Sequence, residues 1–221
     1  WGEEGRDILS GGGNNDSLDG GSGNDTLSGD QGNDTLLGNT GNDSLLGNEG
    51  LDSLLGGTGD DTLRGGVSDD RLGGNDGNDQ LYGEAGNDTL IGSNGGDRLF
   101  GGDGGDRLEG GNGNDRLEGG NGNDRLEPGA GNDNLTGGGG SDNFVFRKGD
   151  DSDLIRDFNP SQDRLLIDKN LRDPGMSKQQ FVDEYASVSS GNIVLRFDDG
   201  DKLTLQGYTN LNQLDNAIDF I

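Results

Sequence analysis

The chain has 221 residues, 48 of them Gly, no Cys, no His, only 25% apolar residues and a formal net charge of −27. So little apolar surface with so much charge cannot offset conformational entropy, and composition alone predicts disorder unless a partner neutralises the chain. A polyanion repels nucleic acid and anionic membranes and attracts cations. No apolar run approaches the length of a spanning helix, so no membrane insertion by this segment is expected, and no cleavable leader opens the chain at Trp1.

From the first residues onward one unit repeats. Aspartate recurs every nine residues at Asp7, Asp16, Asp25, Asp34, Asp43, Asp52, Asp61, Asp70, Asp79, Asp88, Asp97, Asp106, Asp115, Asp124, Asp133 and Asp142. Two positions after each stands a bulky apolar residue, Leu9, Leu18, Leu27 and so on to Leu135, with Phe144 last. Neither a helix, a heptad nor an alternating strand has this period, so a short unit must be stacked many times. A clear copy is Gly20-Gly21-Ser22-Gly23-Asn24-Asp25-Thr26-Leu27-Ser28. Its Gly, Asn and Asp suit a tight turn with positive φ, and the three residues centred on Leu make a minimal strand. Two units then close one flattened coil, with two turns on opposite edges and two short strands facing each other. Stacked coils bury Leu9, Leu27, Leu45 and their successors on one wall and the alternate leucines on the other. One coil is too small to be stable, so order must come from its neighbours.

Along each edge, carboxylates such as Asp25, Asp43 and Asp61 fall one sheet spacing apart, roughly 4.8 Å. Like charges so close repel, and burial raises the cost. A cation between successive turns reverses the sign of that interaction. All available donors are oxygens, carboxylates and Gly-rich backbone carbonyls, which suit Ca²⁺; Zn²⁺ favours nitrogen or sulfur, and Mg²⁺ keeps its waters.

The unit resembles the RTX (repeats-in-toxin) nonapeptide, over residues 2–145 and in sixteen consecutive copies. The resemblance implies an all-β, right-handed parallel β-roll over residues 1–145, followed by a small, mainly-β capping segment over 146–221 that carries a secretion signal. It also implies the ligand set. The earlier turn supplies the carbonyls of its second and fourth residues, the next turn on the same edge those of its first and third, and both supply Asp. One ion would sit among Gly21, Gly23, Asp25, Gly38, Thr40 and Asp43. Carried along the array, the implied carbonyl donors include Gly12, Gly32, Gly41, Gly47, Gly56, Gly59, Gly65, Gly77, Gly83, Gly86 and Gly92, and further on Gly101, Gly104, Gly110, Gly113, Gly119, Gly122 and Gly131. Seven gaps on each edge give up to ~14 Ca²⁺ ions, a charge close to the one they would cancel.

Departures from the unit are few. Asn14 and Ser68 replace the fourth-position Gly, and Ser tolerates positive φ less well than Asn, so weaker binding is expected around Ser68. Pro128 replaces a first-position Gly but keeps the carbonyl. On the outer faces Arg98, Arg107, Arg116 and Arg125 precede Leu in four consecutive units, while Glu109, Glu118 and Glu127 follow it. The preferred reading is ladders of cross-strand ion pairs. The sharper one is a basic stripe gripping an anionic polysaccharide, as RTX-type modules of alginate epimerases are thought to do. Leu37, Leu55 and Ile91 are expected on one outer face, with Leu46, Tyr82 and Phe100 on the other.

After about Asn143 the period stops. Strands are predicted over 144–147, 154–158 and 165–168, a helix over 177–187, a hairpin of 193–197 with 202–205 turned at Asp199-Gly200, and a short helix near Leu211 and Leu214. A solenoid needs its last apolar ladder covered, so this segment is read as a cap. Its ending, Ala217-Ile218-Asp219-Phe220-Ile221, resembles the acidic-then-apolar terminus of type I secretion substrates.

No enzyme site is visible: without His or Cys the usual nucleophile–base pairs are absent, and no GxSxG elbow is present. The expected role is a calcium-binding module of a larger bacterial protein, unfolded in low-calcium cytosol, exported by a type I secretion apparatus and folded in the calcium of the extracellular space. The alternative is an adhesive module for polysaccharide or cell surfaces, with structural calcium. The chain opens inside a repeat, as expected of a piece of a longer protein.

Overall fold

The computed structural model describes residues 1–221. Strands of six residues follow one another every nine residues, from β1 (Ile8–Gly13) and β2 (Ser17–Ser22) to β15 (Asn134–Gly139). Each pairs in parallel with the strand two units away, Leu27 beside Leu45 and Leu45 beside Leu63 in one sheet, Leu36 beside Leu54 in the other. The result is an all-β parallel solenoid made of two facing sheets.

The strands are twice as long as the three residues expected from the apolar pattern. Pairing continues from Leu through the first half of the turn, so that Asp30 and Gln31 still lie beside Asn48 and Glu49. Identical coils stacked in register let the turn backbone bond to the coil above as readily as the strand does. Each strand bends at the second position of its unit, which takes positive φ throughout. Gly fits there without strain, and Asp30, Asn39, Asn48 and Asn75 adopt it with φ of 73–80°. This explains why the unit allows a small polar residue in place of its second Gly.

Leu27 and the unit leucines after it, through Leu135, are buried in a single core that runs without a break into the C-terminal segment. Leu9 is only partly buried, because its strand has a neighbour on one side alone. Flanking residues point outward as expected. On the odd-strand sheet Leu46, Arg64, Tyr82 and Phe100 lie in register, and the rings of Tyr82 and Phe100 stack at 5.0 Å. On the other sheet Leu37 and Leu55 lie side by side, and Leu55 leans over Gly73 before Ile91 resumes the column.

The four-arginine stripe is not formed. Consecutive units belong to opposite sheets, so Arg98 and Arg116 lie side by side on one face and Arg107 and Arg125 on the other. Three of the four meet carboxylates: Arg107 reaches Glu109 at 3.3 Å, Arg116 reaches Glu118 at 3.0 Å and Arg125 reaches Glu127 at 3.4 Å. The first two are exposed pairs that contribute little each, and the third is half-buried.

Beyond residue 145 both sheets go on. β16 (Asn143–Phe146) is followed on its sheet by β18 (Arg164–Ile167) and β22 (Ile218–Phe220); β15 is followed by β17 (Ser152–Ile155) and then β21 (Lys202–Leu205). Two antiparallel strands, β20 (Asn192–Arg196) and β19 (Ala186–Ser189), finish the second sheet. The helices α1 (Lys178–Tyr185) and α2 (Leu211–Ala217) are short, and no helix is long and apolar enough to cross a membrane. Ser177 caps α1 in a reciprocal box with Gln180. Phe146, Phe181, Tyr185 and Phe197 close the end of the leucine core with ring contacts of 5.1–6.0 Å. The Ile218–Phe220 ending is a strand of that cap: Ile218 is fully buried, Arg172 covers the Phe220 ring at 4.2 Å and Lys178 pairs with Asp219 at 2.8 Å.

Because each coil touches only its neighbours, core substitutions should act by position. Leu81→Ala, in mid-array, is expected to cost about 2–5 kcal/mol, whereas Leu9→Ala at the open end should cost well under half as much; denaturant melts of the calcium-loaded protein check the ranking.

Candidate metal centre

Each unit Asp stands where the chain leaves its turn and enters the next strand. Its backbone carbonyl accepts the N–H of the residue that starts the next strand in the coil above, as in Thr26 N–H to Asp7 O at 2.9 Å. Its side-chain Oδ1 accepts the N–H of the Asp two units earlier, at 2.7–3.0 Å, from the Asp7–Asp25 pair to the Asp124–Asp142 pair. The two edges thus carry continuous ladders in which every Asp after the first on its edge is held by main chain above and below. One side-chain oxygen at this spacing therefore serves the geometry of the stack, and the other carries the charge.

Only half of each carboxylate is used. From Asp25 to Asp142 these residues are buried, at 0–3% exposure, and from Asp16 to Asp133 the second oxygen, Oδ2, is buried without any hydrogen-bond partner. A buried charged oxygen left unpaired costs several times an ordinary hydrogen bond. The pattern repeats in fourteen consecutive units, so it is a property of the fold.

The space beside Oδ2 is kept open by the first Gly of the same unit. A Cβ at Gly20 would meet Asp25 Oδ2 at 2.6 Å and the Gly38 carbonyl of the next coil at 3.1 Å. Those two oxygens, both in the implied ligand set, therefore flank one small volume. The fourth-position carbonyl Gly23 O faces the Cα of Gly41 in the following turn, where a Cβ would overlap it. From the other side the Thr40 carbonyl points back and accepts the Gly23 N–H at 2.7 Å. Carbonyls from both turns thus face the gap that lies beside the Asp. Each gap brings together one carboxylate from each of two successive turns, so a cation there must take most of its donors from main-chain carbonyls. That is a hard, oxygen-only environment of the kind Ca²⁺ takes.

One element of the turn went unread in the sequence. The Asn at the fifth position of the unit is a main-chain clamp: Asn24 Oδ1 accepts the Asn42 N–H at 3.0 Å, and Asn42 Oδ1 accepts the Asp60 N–H at 3.1 Å. Its signal was the frequency of Asn or Asp before the unit Asp. Ser68 holds the positive φ of a fourth-position Gly. It takes φ 88°, and the ladder bond beside it, Gly50 N–H to Val67 O, is stretched to 3.3 Å where the others measure 2.6–2.9 Å. Asn14, at φ 81°, lies in the first turn of its edge, with no earlier coil for its side chain to meet.

The sequence comparisons agree with this geometry. A family model for the RTX calcium-binding nonapeptide repeat, four copies long, matches in overlapping windows from residues 1–36 to residues 119–153. The chain belongs to the RTX calcium-binding repeat family. Among solved structures, this RTX array is similar to the AlgE6R3 subunit of the mannuronan C5-epimerase of Azotobacter vinelandii, at 26% identity over 69% of this chain and 78% of that one, with a TM-score of 0.38. It is also similar to the extracellular lipase LipA of Serratia marcescens, at 18% identity over 98% of this chain and 38% of that one, again with a TM-score of 0.38. No curated protein sequence matches.

Burial governs the protonation of the RTX carboxylates. It pushes Asp61, Asp70 and Asp115 up to about 7 and Asp79, Asp88, Asp106, Asp124 and Asp142 to about 6, from an ordinary 3.8, with neighbouring carboxylates adding to the rise at each. A calcium ion takes the opposite side, since it binds the charged form. A raised folded-state value means that protons stabilise the metal-free fold: this contribution is complete below about 4 and is lost as pH rises through 6–7. Circular dichroism in chelator is expected to show β structure gained on acidification from pH 8 to pH ~4.5, while the calcium concentration at the folding midpoint rises as pH falls from ~8 to ~6. The same metal-free spectrum at both pH values contradicts this account.

Proposed function

We propose that this chain is a calcium-triggered folding module of a secreted protein, without a catalytic site of its own. The observation that supports the reading is the double row of buried Oδ2 atoms with no hydrogen-bond partner in the fold. Without cations the rows place like charges one coil apart in sites that water does not reach, and the apolar content is too low to offset them. With calcium bound, each ion neutralises charge from two turns and staples them together. In a low-calcium cytosol the chain stays extended and fits a narrow export channel of the type I kind; outside, millimolar calcium fills sites of the affinity typical of extracellular modules, about 10⁻⁴ to 10⁻³ M. Folding at the exit opposes return, because whatever binds only the folded state shifts the equilibrium toward it. The larger protein that this segment would serve is then stabilised and delivered by its RTX array.

The direct test is a calcium titration followed by circular dichroism and small-angle scattering. A disordered, expanded chain in chelator and a compact β-rich one at roughly 5 mM Ca²⁺ are expected; equal spectra and equal radii under both conditions sink the proposal.

A second reading, an adhesive module for an anionic polysaccharide, draws on the odd-strand face. Arg98 has no carboxylate partner there, and Arg116, Asn134 and Arg156 line a shallow hollow. Arg98→Glu with Arg116→Glu is expected to leave calcium-driven folding nearly unchanged; loss of retention on an anionic-glycan column would favour adhesion, and unaltered retention would exclude this face.

A further inference from the structure

The half-satisfied carboxylates do not stop where the nine-residue period stops, and the two edges end differently. On one edge Asp142 donates its N–H to Asp163 Oδ1 at 3.1 Å across a 21-residue step, and Asp163 Oδ2 accepts the Asn159 N–H at 2.8 Å. Both oxygens are used, and the series closes. On the other edge Asp133 donates its N–H to Asp153 Oδ1 at 3.0 Å across a 20-residue step, and Leu154 N–H bonds back to Asp133 O at 2.9 Å. That is the bonding of a repeat without its sequence. Asp153 is 2% exposed and Asp133 1%, and Oδ2 of each is buried without a partner.

Nothing in the cap compensates for this pair. Asp150 lies close enough for its charge to act on Asp153 and is itself buried, with one oxygen accepting the Arg147 N–H at 2.5 Å. Behind it, Asp201 of the hairpin accepts the Gly149 N–H at 2.7 Å, which ties the same loop to the last strands. Two buried orphan oxygens and a third buried carboxylate beside them form the junction between the last repeat and the cap.

The geometry points to one further calcium site outside the nonapeptide array, held by Asp133 and Asp153 with Asp150 beside them, which clamps the cap to the last coil. It rests on the reading that the repeats bind calcium, and it extends that reading to a residue beyond the sixteen nonapeptides, out of their nine-residue phase. As in the repeats, the remaining donors are main-chain carbonyls. Because β17 carries Asp153 and pairs with β21, filling this site would order the hairpin together with the array.

Equilibrium dialysis of the full 221-residue chain against labelled Ca²⁺ at saturation separates the possibilities. Asp153→Asn keeps an oxygen for the Asp133 N–H and removes the charge, so it should bind one ion fewer than the unsubstituted chain. Asp163→Asn, the same change on the other edge, should bind the full number. An unchanged count in Asp153→Asn, or an equal loss in Asp163→Asn, overturns the proposal and leaves the calcium reading intact. No bound calcium in the unsubstituted chain overturns that reading first. Should Asp153→Asn fail to compact at any calcium concentration, the count is made on Asp150→Asn, whose amide oxygen keeps the Arg147 bond; one ion fewer there supports the site, and the full number refutes it.

Discussion

One carboxylate oxygen per nine residues sets the terms for the rest of the molecule. Oδ1 of each unit Asp is a structural acceptor that fixes the distance between coils, and Oδ2 is a buried charge that the protein leaves unanswered. The two oxygens cannot be separated: the hydrogen bond that orders the turn also carries the charge inside. Replacing Asp by a neutral acceptor would keep the ladder and remove the repulsion, yet Asp stands at all sixteen positions. The conflict is therefore built into the unit, and it makes stability depend on the medium as much as on the sequence.

The glycines follow from the same constraint. At the first position a Cβ would enter the volume beside Oδ2, and at the fourth it would strike the carbonyl of the coil below. Both exclusions preserve space and carbonyl access in the gap between turns. In exchange the chain gives up side chains that could have formed a larger core. One leucine per unit remains, so the apolar contribution is uniform along the array and small in any one coil. A stack held by nearest neighbours has its stability set by the contacts between coils more than by the core of any one coil.

Much of this was legible because the period is so regular. Asp and Leu at fixed offsets were enough to pair each strand with the one two units on, to assign the leucines to two walls and to place Tyr82 and Phe100 on one outer face. What escaped was of two kinds. Strand length and the Asn clamp depend on main-chain bonds between coils, which leave only a statistical trace at the second and fifth positions. The continuation past Phe144 was hidden because Asp153 and Asp163 follow at steps of 20 and 21 residues, although each heads an Asp-x-apolar triplet, Asp153-Leu154-Ile155 and Asp163-Arg164-Leu165, like the unit's own. The arginine stripe failed for a simpler reason: residues one unit apart lie on opposite faces, and only those two units apart are neighbours.

The two ends of the array are not equivalent, and the difference has a direction. At the N-terminal end Leu9 is partly buried and Asp7 satisfies its spare oxygen within its own turn, from the Glu3 N–H. At the C-terminal end the leucine column meets the buried rings of Phe144, Phe146, Phe181 and Phe197, and the capping strands extend both sheets. A coil next to the cap gains burial that needs no ion, whereas a coil next to the open end gains little even with one. Order is thus favoured most strongly where the cap meets the repeats. A cap assembled on its own aromatic core offers the first ready-made edge on which a coil and its ions can be laid down. The repeats supply the sites and the cap supplies the edge that covers their last coil, so each part of the chain completes what the other leaves open.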